Sequence, residues 1–177
     1  MASDLNYDGV GATRPDDVSW APTPPSYRRY ERSVRIGHGS AHWEYAATEV
    51  LRWGVKTRSG FTVVPAHESG SGPLIVNTDY VLMAHAGPLR FREPVRVVAV
   101  SERPDRCGFA YGTRRGHPVR GEEAFIVHRG ADGDVWLTLR SLTRSAAGPW
   151  RFAFPVLLVA QRFYRRRYLR ALTEPQT

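Results

Sequence analysis

The hydrophobic period of this chain changes twice along its length, and this constrains the fold more than any other feature. Apolar residues recur at helical spacing over 41–53, alternate in short stretches over 60–143, and return to helical spacing over 149–172. An antiparallel sheet of several strands must bury one face, and the final helix is the only predicted element long enough to cover it. The pattern therefore predicts an α+β fold in which a curved antiparallel sheet of about six to seven strands surrounds a long C-terminal helix.

The element boundaries follow from the turn residues between the apolar stretches. Ser40 is a candidate N-cap for the shorter helix near the N-terminus, and Gly54 is expected to end that helix. The loop 130–133 is a hairpin signal between the last two strands, and Gly148-Pro149 is expected to open the final helix. This order of elements is the helix-grip plan. The predicted strands are 30–36, 60–65, 74–84, 94–100, 106–113, 122–129 and 135–143.

The length of 177 residues suggests one domain with a terminal extension. Residues 1–28 are rich in proline and glycine and show no sustained period, but Tyr7 and Trp20 are apolar enough to pin this segment onto a core. We therefore expect an N-terminal arm at 1–28 packed on a single domain at 29–173, and a frayed C-terminus at 174–177.

Composition and charge narrow the function classes. The single cysteine, Cys107, excludes an internal disulfide and a multi-cysteine metal site. No apolar run approaches the ~20 residues that span a bilayer, and the N-terminus does not resemble a secretory signal, so we expect a cytoplasmic protein. The net charge is +8, and Lys56 is the only lysine among 25 basic residues. This arginine bias is explained either by codon usage in a GC-rich genome or by an anionic partner.

The final helix carries two polar residues inside its apolar arc. Gln161 and Arg165 fall between Leu157 and Tyr168 on a helical wheel. Because a buried arginine is costly unless it is paired, Arg165 is expected to extend to solvent, to pair with a carboxylate of the sheet, or to face a polar cavity. In the third case, Gln161 and Arg165 would orient a ligand.

The same helix carries a basic row on its other side, formed by Arg162, Arg166 and Arg170. The row is either a solvated face or a ridge that meets phosphate groups or a membrane. No recognisable nucleic-acid-binding module is present, and a sheet whose concave face holds a helix is poorly placed to stack bases.

The segment 109–125 holds the candidate catalytic residues Tyr111, His117, Glu122 and Glu123. A histidine near a carboxylate can be tuned for acid–base chemistry near neutral pH. The alternative is that these residues lock a tight turn. The two glutamates point to opposite faces of a strand, and a slip of one residue in register exchanges them, so either could face the concave side.

This segment closely resembles the signature of the domain of unknown function 1990 family. The resemblance implies a helix-grip protein related in architecture to the START and plant-allergen ligand binders, and it carries no established activity. The matching residues are Asn6-Tyr7, Gly37-His38-Gly39, Tyr111-Gly112-Thr113, Gly116-His117-Pro118, Gly121-Glu122-Glu123, Phe125, Gly148-Pro149, Gln161 and Tyr168-Leu169.

These observations favour a domain that binds an apolar or amphipathic small molecule between the sheet and the last helix. The polar end of the ligand is expected to meet Arg165, Gln161 and a carboxylate or histidine of 111–123. An enzyme that uses His117, Glu122 or Glu123 in the same cavity is the alternative, and a basic protein that binds nucleic acid or anionic lipid is the third. We expect no metal and no cofactor. The predicted apolar walls are Trp53, Phe61, Tyr80, Phe109, Leu157 and Tyr168.

Overall fold

Seven antiparallel strands and three helices make up the part of the chain that the structure describes. The structure is a computed structural model that describes residues 4–20, 26–66, 74–86, 89–145 and 150–173. In chain order the elements are β1 (Arg28–His38), α1 (Gly39–Val50), α2 (Gly54–Arg58), β2 (Phe61–Pro65), β3 (Asp79–Ala86), β4 (Leu89–Arg103), β5 (Arg106–Thr113), β6 (Val119–Arg129), β7 (Asp134–Ser145) and α3 (Trp150–Tyr168).

The sheet order confirms the helix-grip prediction. The strands lie in the order β1-β7-β6-β5-β4-β3-β2, so each strand from β2 to β7 pairs with its neighbour in sequence. The remaining strand, β1, pairs with β7, and the two short helices connect β1 at one edge to β2 at the other. The sheet is curved, and the C-terminal helix α3 contacts β6, β7 and α2.

The first helix differs from its prediction at both ends. It begins at Gly39 with His38 in the N-cap position and no side-chain cap, so the assignment of Ser40 as N-cap was wrong. It ends at Val50 rather than at Gly54. Trp53 adopts a left-handed conformation with φ 62° and is the N-cap of a second helix, which begins at Gly54. The tertiary contact that accompanies this break is the indole of Trp53 packed edge-on against Phe109, with ring centroids 4.6 Å apart.

Only β5 has the predicted bounds, and β3 and β4 depart most from theirs, whereas the other strands differ by one to three residues at one or both ends. β3 begins at Asp79, since the backbone at Asn77 is left-handed (φ 72°) and forms a turn that delays the strand. β4 extends beyond 94–100 at both ends because it pairs with β3 on one side and β5 on the other. The predicted turn at 87–88 and the helix opening at 148–149 lie outside the described residues.

Most of the apolar core lies on the inner face of the sheet. There Phe109 of β5 and Phe125 of β6 are buried together with Trp53, which lies between α1 and α2, and with Tyr168 of α3. A smaller cluster of Ala110, Ala124 and Ile126 lies on the opposite face, as the alternation of side chains along a strand requires.

Residues 4–20 lie against that opposite face. The Arg140 guanidinium, which is 1% exposed, donates to the backbone carbonyl of Arg14 at 2.7 Å. The guanidinium of Arg106 donates to the carbonyl of Pro15 at 2.6 Å. These buried arginines give the irregular backbone of the segment the hydrogen-bond partners that it lacks internally. The predicted division of the chain into arm, domain and terminal segment stays a prediction, and its last segment lies outside the described residues.

Candidate functional site

A cavity of about 310 Å³ lies between α3 and the inner face of the sheet. Interiors are normally packed as densely as organic crystals, so a space of this size is a feature of the fold rather than a packing gap. Its aromatic walls are formed by Phe61, Phe91, Tyr111, Tyr164 and Tyr168. Its polar lining residues include Lys56, Glu93, Thr113, His117, Glu123, Ser141, Thr143 and Gln161.

Lys56 of α2 is the buried cation of this cavity. Its side chain is 3% exposed, and its Nζ lies 3.0 Å from Glu123 Oε2. Nζ also donates a hydrogen bond to Tyr168 Oη at 2.7 Å, and the Tyr111 hydroxyl donates to the same Oε2 of Glu123. The cost of burying the two charges is therefore offset by the ion pair and by two phenol groups.

Aromatic rings surround the same ammonium. Nζ lies 4.4 Å from the ring centroid of Tyr168, 4.5 Å from that of Phe61 and 5.1 Å from that of Tyr111. Each ring face attracts a cation, and this attraction is larger where water is excluded. The rings and Glu123 together hold the ammonium at one place on the cavity wall.

Glu93 of β4 faces the cavity without such support. It makes no hydrogen bond to the residues that the structure describes, and its Oε2 lies 3.8 Å from His117 Nε2. Burial raises the pKa of Glu93, the Lys56 ammonium lowers it, and the nearby Glu123 raises it. The resulting pKa of Glu93 is about 7. Glu93 therefore changes its charge close to neutral pH.

His117 is neutral at that pH. Burial lowers the pKa of His117 to about 3, and the neighbouring Lys56 ammonium lowers it as well. The Nδ1 of His117 lies 3.1 Å from both the backbone nitrogen and the carbonyl oxygen of Val119, and its Nε2 faces the Glu93 carboxyl. As a neutral imidazole, His117 carries one N–H and one acceptor nitrogen.

The two central phenols also stay uncharged. Burial raises the pKa of Tyr111 and of Tyr168 well above the usual value, and the negative charge of Glu123 raises both further. Both hydroxyls are therefore hydrogen-bond donors and acceptors rather than phenolates across the physiological range.

The two glutamates of β6 face opposite sides of the sheet, and the register of the strand decides which faces the cavity. Tyr111 is the cross-strand partner of Glu123, so both side chains reach the inner face. The Glu122 carboxylate accepts hydrogen bonds from the Tyr7 hydroxyl and the Gly11 N–H, both at 2.8 Å, and from the Thr13 N–H at 2.9 Å. Glu122 thus anchors residues 4–20, while Glu123 belongs to the cavity.

Gly121 makes this local arrangement possible. Its φ is 144°, and a Cβ at this position would lie 1.8 Å from the carbonyl oxygen of Leu142 on β7. Any side chain here would force the two strands apart. The Gly121 N–H donates instead to the Thr113 hydroxyl at 2.9 Å, which ties the start of β6 to the end of β5.

Among the predicted catalytic residues, the structure brings Tyr111, His117 and Glu123 together around Lys56. Among the predicted ligand-binding residues, Gln161 and Tyr168 line the cavity. The Oε1 atom of Gln161 is buried and has no hydrogen-bond partner within the described part of the chain.

Arg165 lies beside the cavity, not in its lining. Its Nη2 donates to the Ser141 hydroxyl at 2.9 Å, and its guanidinium lies 3.9 Å from the ring centroid of Tyr30. These two contacts satisfy part of the guanidinium, while its Nε is buried with no hydrogen-bond partner among the described residues.

Three other predicted wall residues lie in the core outside the cavity lining. Trp53 packs against Phe109 and also against Tyr80, with ring centroids 5.0 Å apart in the second pair. Phe61, by contrast, does line the cavity. The side chain of Leu157 lies outside the described residues.

Lys56 and Glu93 were missed as site residues, although the sequence carries a signal for each. Lys56 is the only lysine in a chain that otherwise uses arginine, which marks a position where a compact ammonium is needed. Glu93 stands in alternation with Val95 and Val97, two fully buried residues, so its side chain belongs to the core face.

Other kinds of site find no support in the described ranges. These residues contain no group of three His, Cys, Asp or Glu side chains placed to hold a metal ion. None of the helices in them has the length and apolar character that crossing a membrane requires.

A family model described as a domain of unknown function, DUF1990, matches residues 6–171. The chain belongs to the DUF1990 family. Its relatives include a UPF0548 protein of Deinococcus radiodurans, 39% identical over 159 residues, which are 85% of this chain and 79% of the relative. A UPF0548 protein of Arabidopsis thaliana is 29% identical over 79 residues, which are 41% of this chain and 38% of that protein.

Two solved structures that match this DUF1990 protein share little sequence with it. The hypothetical protein jhp0584 from Helicobacter pylori matches with a TM-score of 0.61 at 10% identity, over 83% of this chain and 85% of its own. Ara h 8.0201 matches with a TM-score of 0.49 at 12% identity, over 82% of this chain and 98% of its own.

Proposed function

We propose that this DUF1990 protein binds an amphipathic small molecule in the cavity between α3 and the sheet. The observation that carries the proposal is the open space of about 310 Å³ with aromatic walls and a cluster of polar groups at one place. Such a combination of apolar surface and a few convergent polar groups is typical of ligand pockets. The apolar body of the ligand packs on the rings, and its polar end meets the cluster around Lys56.

The buried ion pair supports a ligand site over a purely structural cluster. A buried pair such as Lys56–Glu123 gives a fold little or no net stability compared with apolar side chains of the same volume. Gln161 adds a buried oxygen with no hydrogen-bond partner within the described residues, and Glu93 adds a carboxylate that lies 3.8 Å from His117 Nε2. Polar groups left in this state in a cavity are satisfied when a ligand or water enters.

The polar end of the ligand lies at a different place from the one that the helical wheel indicated. Gln161 keeps its predicted role, but Arg165 is bonded to Ser141 beside the cavity. We place the recognition groups at Glu123, a carboxylate of the predicted segment 111–123, and at Lys56 and Glu93, which were not among the site residues predicted from the sequence.

Native mass spectrometry of the full chain, purified from its own host, tests this function. We expect an additional mass that disappears on denaturation. Ala84→Leu fills the cavity from β3 and Ala160→Leu fills it from α3, so both variants should lose the additional mass. Val64→Leu, at an exposed position of β2, is the matched control and should retain it.

The proposal is overturned by a wild-type protein that carries no additional mass and whose Tm does not rise with octylamine, octanol or octanoate. Ligand binding to the folded state raises Tm by mass action. The Tm measurement therefore detects an empty binding site even if the natural ligand was lost during purification and no additional mass is seen.

An acid–base enzyme in the same cavity is the second candidate. The observation that favours it is the Glu93 carboxyl, with a pKa of about 7, lying 3.8 Å from the neutral His117. Groups that exchange protons near neutral pH and face a pocket are typical of general acids and bases.

Exchange of solvent deuterium into the recovered ligand tests this second function. A ligand reloaded into the protein in heavy water should gain deuterium at carbon if Glu93 moves a proton, and Glu93→Gln should abolish the gain. A ligand returned without deuterium by the wild-type protein contradicts this candidate and leaves the binding function unaffected.

A further inference from the structure

Lys56 and Glu93, two charged residues of the cavity, differ in the number of partners that their side chains contact. The Lys56 ammonium is already held by Glu123 at 3.0 Å, by the Tyr168 hydroxyl and by three ring faces. Glu93 has no hydrogen bond and no cation in direct contact among the described residues. Its neighbour His117 is neutral and offers a single N–H.

Among the described residues, the net charge of the cavity lining is negative once Glu93 ionises. The lining residues of charged types in these ranges are Lys56, Glu93, Glu122 and Glu123. The carboxylate of Glu122 is consumed by residues 4–20 on the other face. One cation therefore faces two carboxylates, and the second carboxylate is the one without a partner.

We propose that the polar end of the ligand is an ammonium group, so that the cavity selects organic amines with an apolar body over carboxylates of the same size. This inference rests on the proposed function, since it needs the cavity to admit a small molecule. A protonated amine donates hydrogen bonds to Glu93 and supplies the positive charge that the cavity lacks. The buried Oε1 of Gln161 is a second acceptor on the same lining.

The walls suit a cation better than an anion. Tyr164 and Phe61 present aromatic rings 4.8 Å apart at the cavity surface, and such faces attract ammonium groups and repel carboxylates. A ligand carboxylate would meet two glutamates, and it would have to share the Lys56 ammonium with Glu123 and the Tyr168 hydroxyl. Arg165, the other nearby cation, lies outside the lining and is bonded to Ser141.

Amine binding is therefore coupled to the ionisation of Glu93. An ammonium binds the carboxylate form, so its affinity should rise with pH through the pKa of Glu93 and level off above it. The phenols and the imidazole around Glu93 do not change charge in this range. The three phenols have raised pKa values, His117 is neutral, and Lys56 and Glu123 form the ion pair. The phenols are Tyr111, Tyr164 and Tyr168.

Calorimetric titration of the full chain with octylamine, octanol and octanoate tests this selectivity. At a pH about one unit above the pKa of Glu93, we expect octylamine to bind at least about tenfold more tightly than octanoate. Glu93→Gln should weaken octylamine at least about tenfold and change octanol by less than about twofold. Glu102→Gln removes an exposed carboxylate from the same strand and should leave all three affinities unchanged.

Each other outcome is decisive. Octanoate binding as tightly as octylamine, or an octylamine affinity that Glu93→Gln does not lower, overturns the amine inference and leaves the binding function standing. Failure of all three probes overturns the amine inference, and it overturns the binding function as well if the wild-type protein carries no additional mass. If Glu93→Gln does not fold, Glu93→Asp keeps the charge on a shorter side chain, and the wild-type pH profile of octylamine affinity then decides: a flat profile contradicts the inference.

Discussion

The Lys56 ammonium and the Glu123 carboxylate lie 3.0 Å apart on the inner face of the sheet, with side chains 3% and 15% exposed. One belongs to a five-residue helix and the other to a central strand. This contact joins α2 to β6 across the cavity and sets the position of the polar groups around it.

Removing either member of this pair should strongly destabilise the protein. We expect Lys56→Met or Glu123→Gln to lower the free energy of unfolding by about 3–5 kcal/mol, because each leaves a buried charge without its partner. The double variant should lose less than the sum of the two losses, since it buries no unpaired charge. Urea unfolding of the four proteins in a double-mutant cycle measures this. Additive losses would contradict an energetic coupling between the two side chains.

Lys56 should resist chemical modification in the folded protein. Because it is the only lysine and is 2% exposed, an amine-reactive ester should modify only the N-terminal amine under native conditions. In urea, a second label should appear at Lys56. Peptide mass spectrometry distinguishes the two sites, and Lys56→Arg, which lacks the amine, is the control. Rapid native labelling at Lys56 would show that the cluster opens to solvent.

Glu122 should govern the attachment of residues 4–20. Glu122→Gln replaces a charged acceptor of four groups by an amide, and we expect a loss of about 1.5–3 kcal/mol in the free energy of unfolding. Chymotrypsin should then cleave after Tyr7, which is buried in the wild type, well before the rest of the chain is digested. Glu102→Gln serves as the control. An unchanged cleavage rate at Tyr7 would mean that the arginine contacts alone hold the segment.

Glu93 should make the protein less stable as the pH rises. Its pKa is about 7 in the folded state against 4.5 in the unfolded state, so the folded state binds more protons between these values. Stability from this group is complete below about pH 4.5 and is lost as the pH passes through 7, by about 3 kcal/mol in total. The difference between the unfolding free energies of the wild type and Glu93→Gln across this range measures the effect. A pH-independent difference would contradict it.

His117 acts with the opposite sign. Its pKa falls from 6.5 to about 3 on folding, so the unfolded state binds more protons between these values and stability falls as the pH drops through them. His117→Asn should remove this acid sensitivity, whereas it should leave in place the loss that Glu93 causes as the pH rises from 4.5 to about 7. Thermal unfolding between pH 3 and about 7 compares His117→Asn and Glu93→Gln with the wild type.

Local patterns were enough for the central part of the sheet. The predicted strand 106–113 coincides with β5, and the loop 130–133 does join β6 to β7. In this part of the chain the alternation of side chains and the turn residues indicate the same element bounds. At Trp53 the helical period predicts a continuous helix, whereas the backbone is left-handed and the indole is buried against Phe109.

The candidate site could be predicted only where its residues are close in sequence. Tyr111, His117 and Glu123 come from one hairpin, and the Tyr-Gly-Thr and Gly-Glu-Glu motifs mark them. The sequence of β6 does not show which side of the sheet each glutamate faces, because both faces of the strand carry buried apolar residues. Phe125 lies on the same face as Glu123, and Ala124 lies on the same face as Glu122. Register, which pairs Tyr111 with Glu123, settles the question.

The sequence by itself therefore determined the class of fold, the hairpin that carries half of the polar cluster, and the family to which the chain belongs. Only the tertiary structure decided that Lys56 meets Glu123, that Glu93 faces the same cavity, and that Glu122 anchors residues 4–20 instead. The physical reason is that hydrophobic period and turn chemistry act between neighbours in the chain. The meeting of side chains from α2, β4 and β6 at one cavity depends on strand order and register, which are properties of the whole sheet.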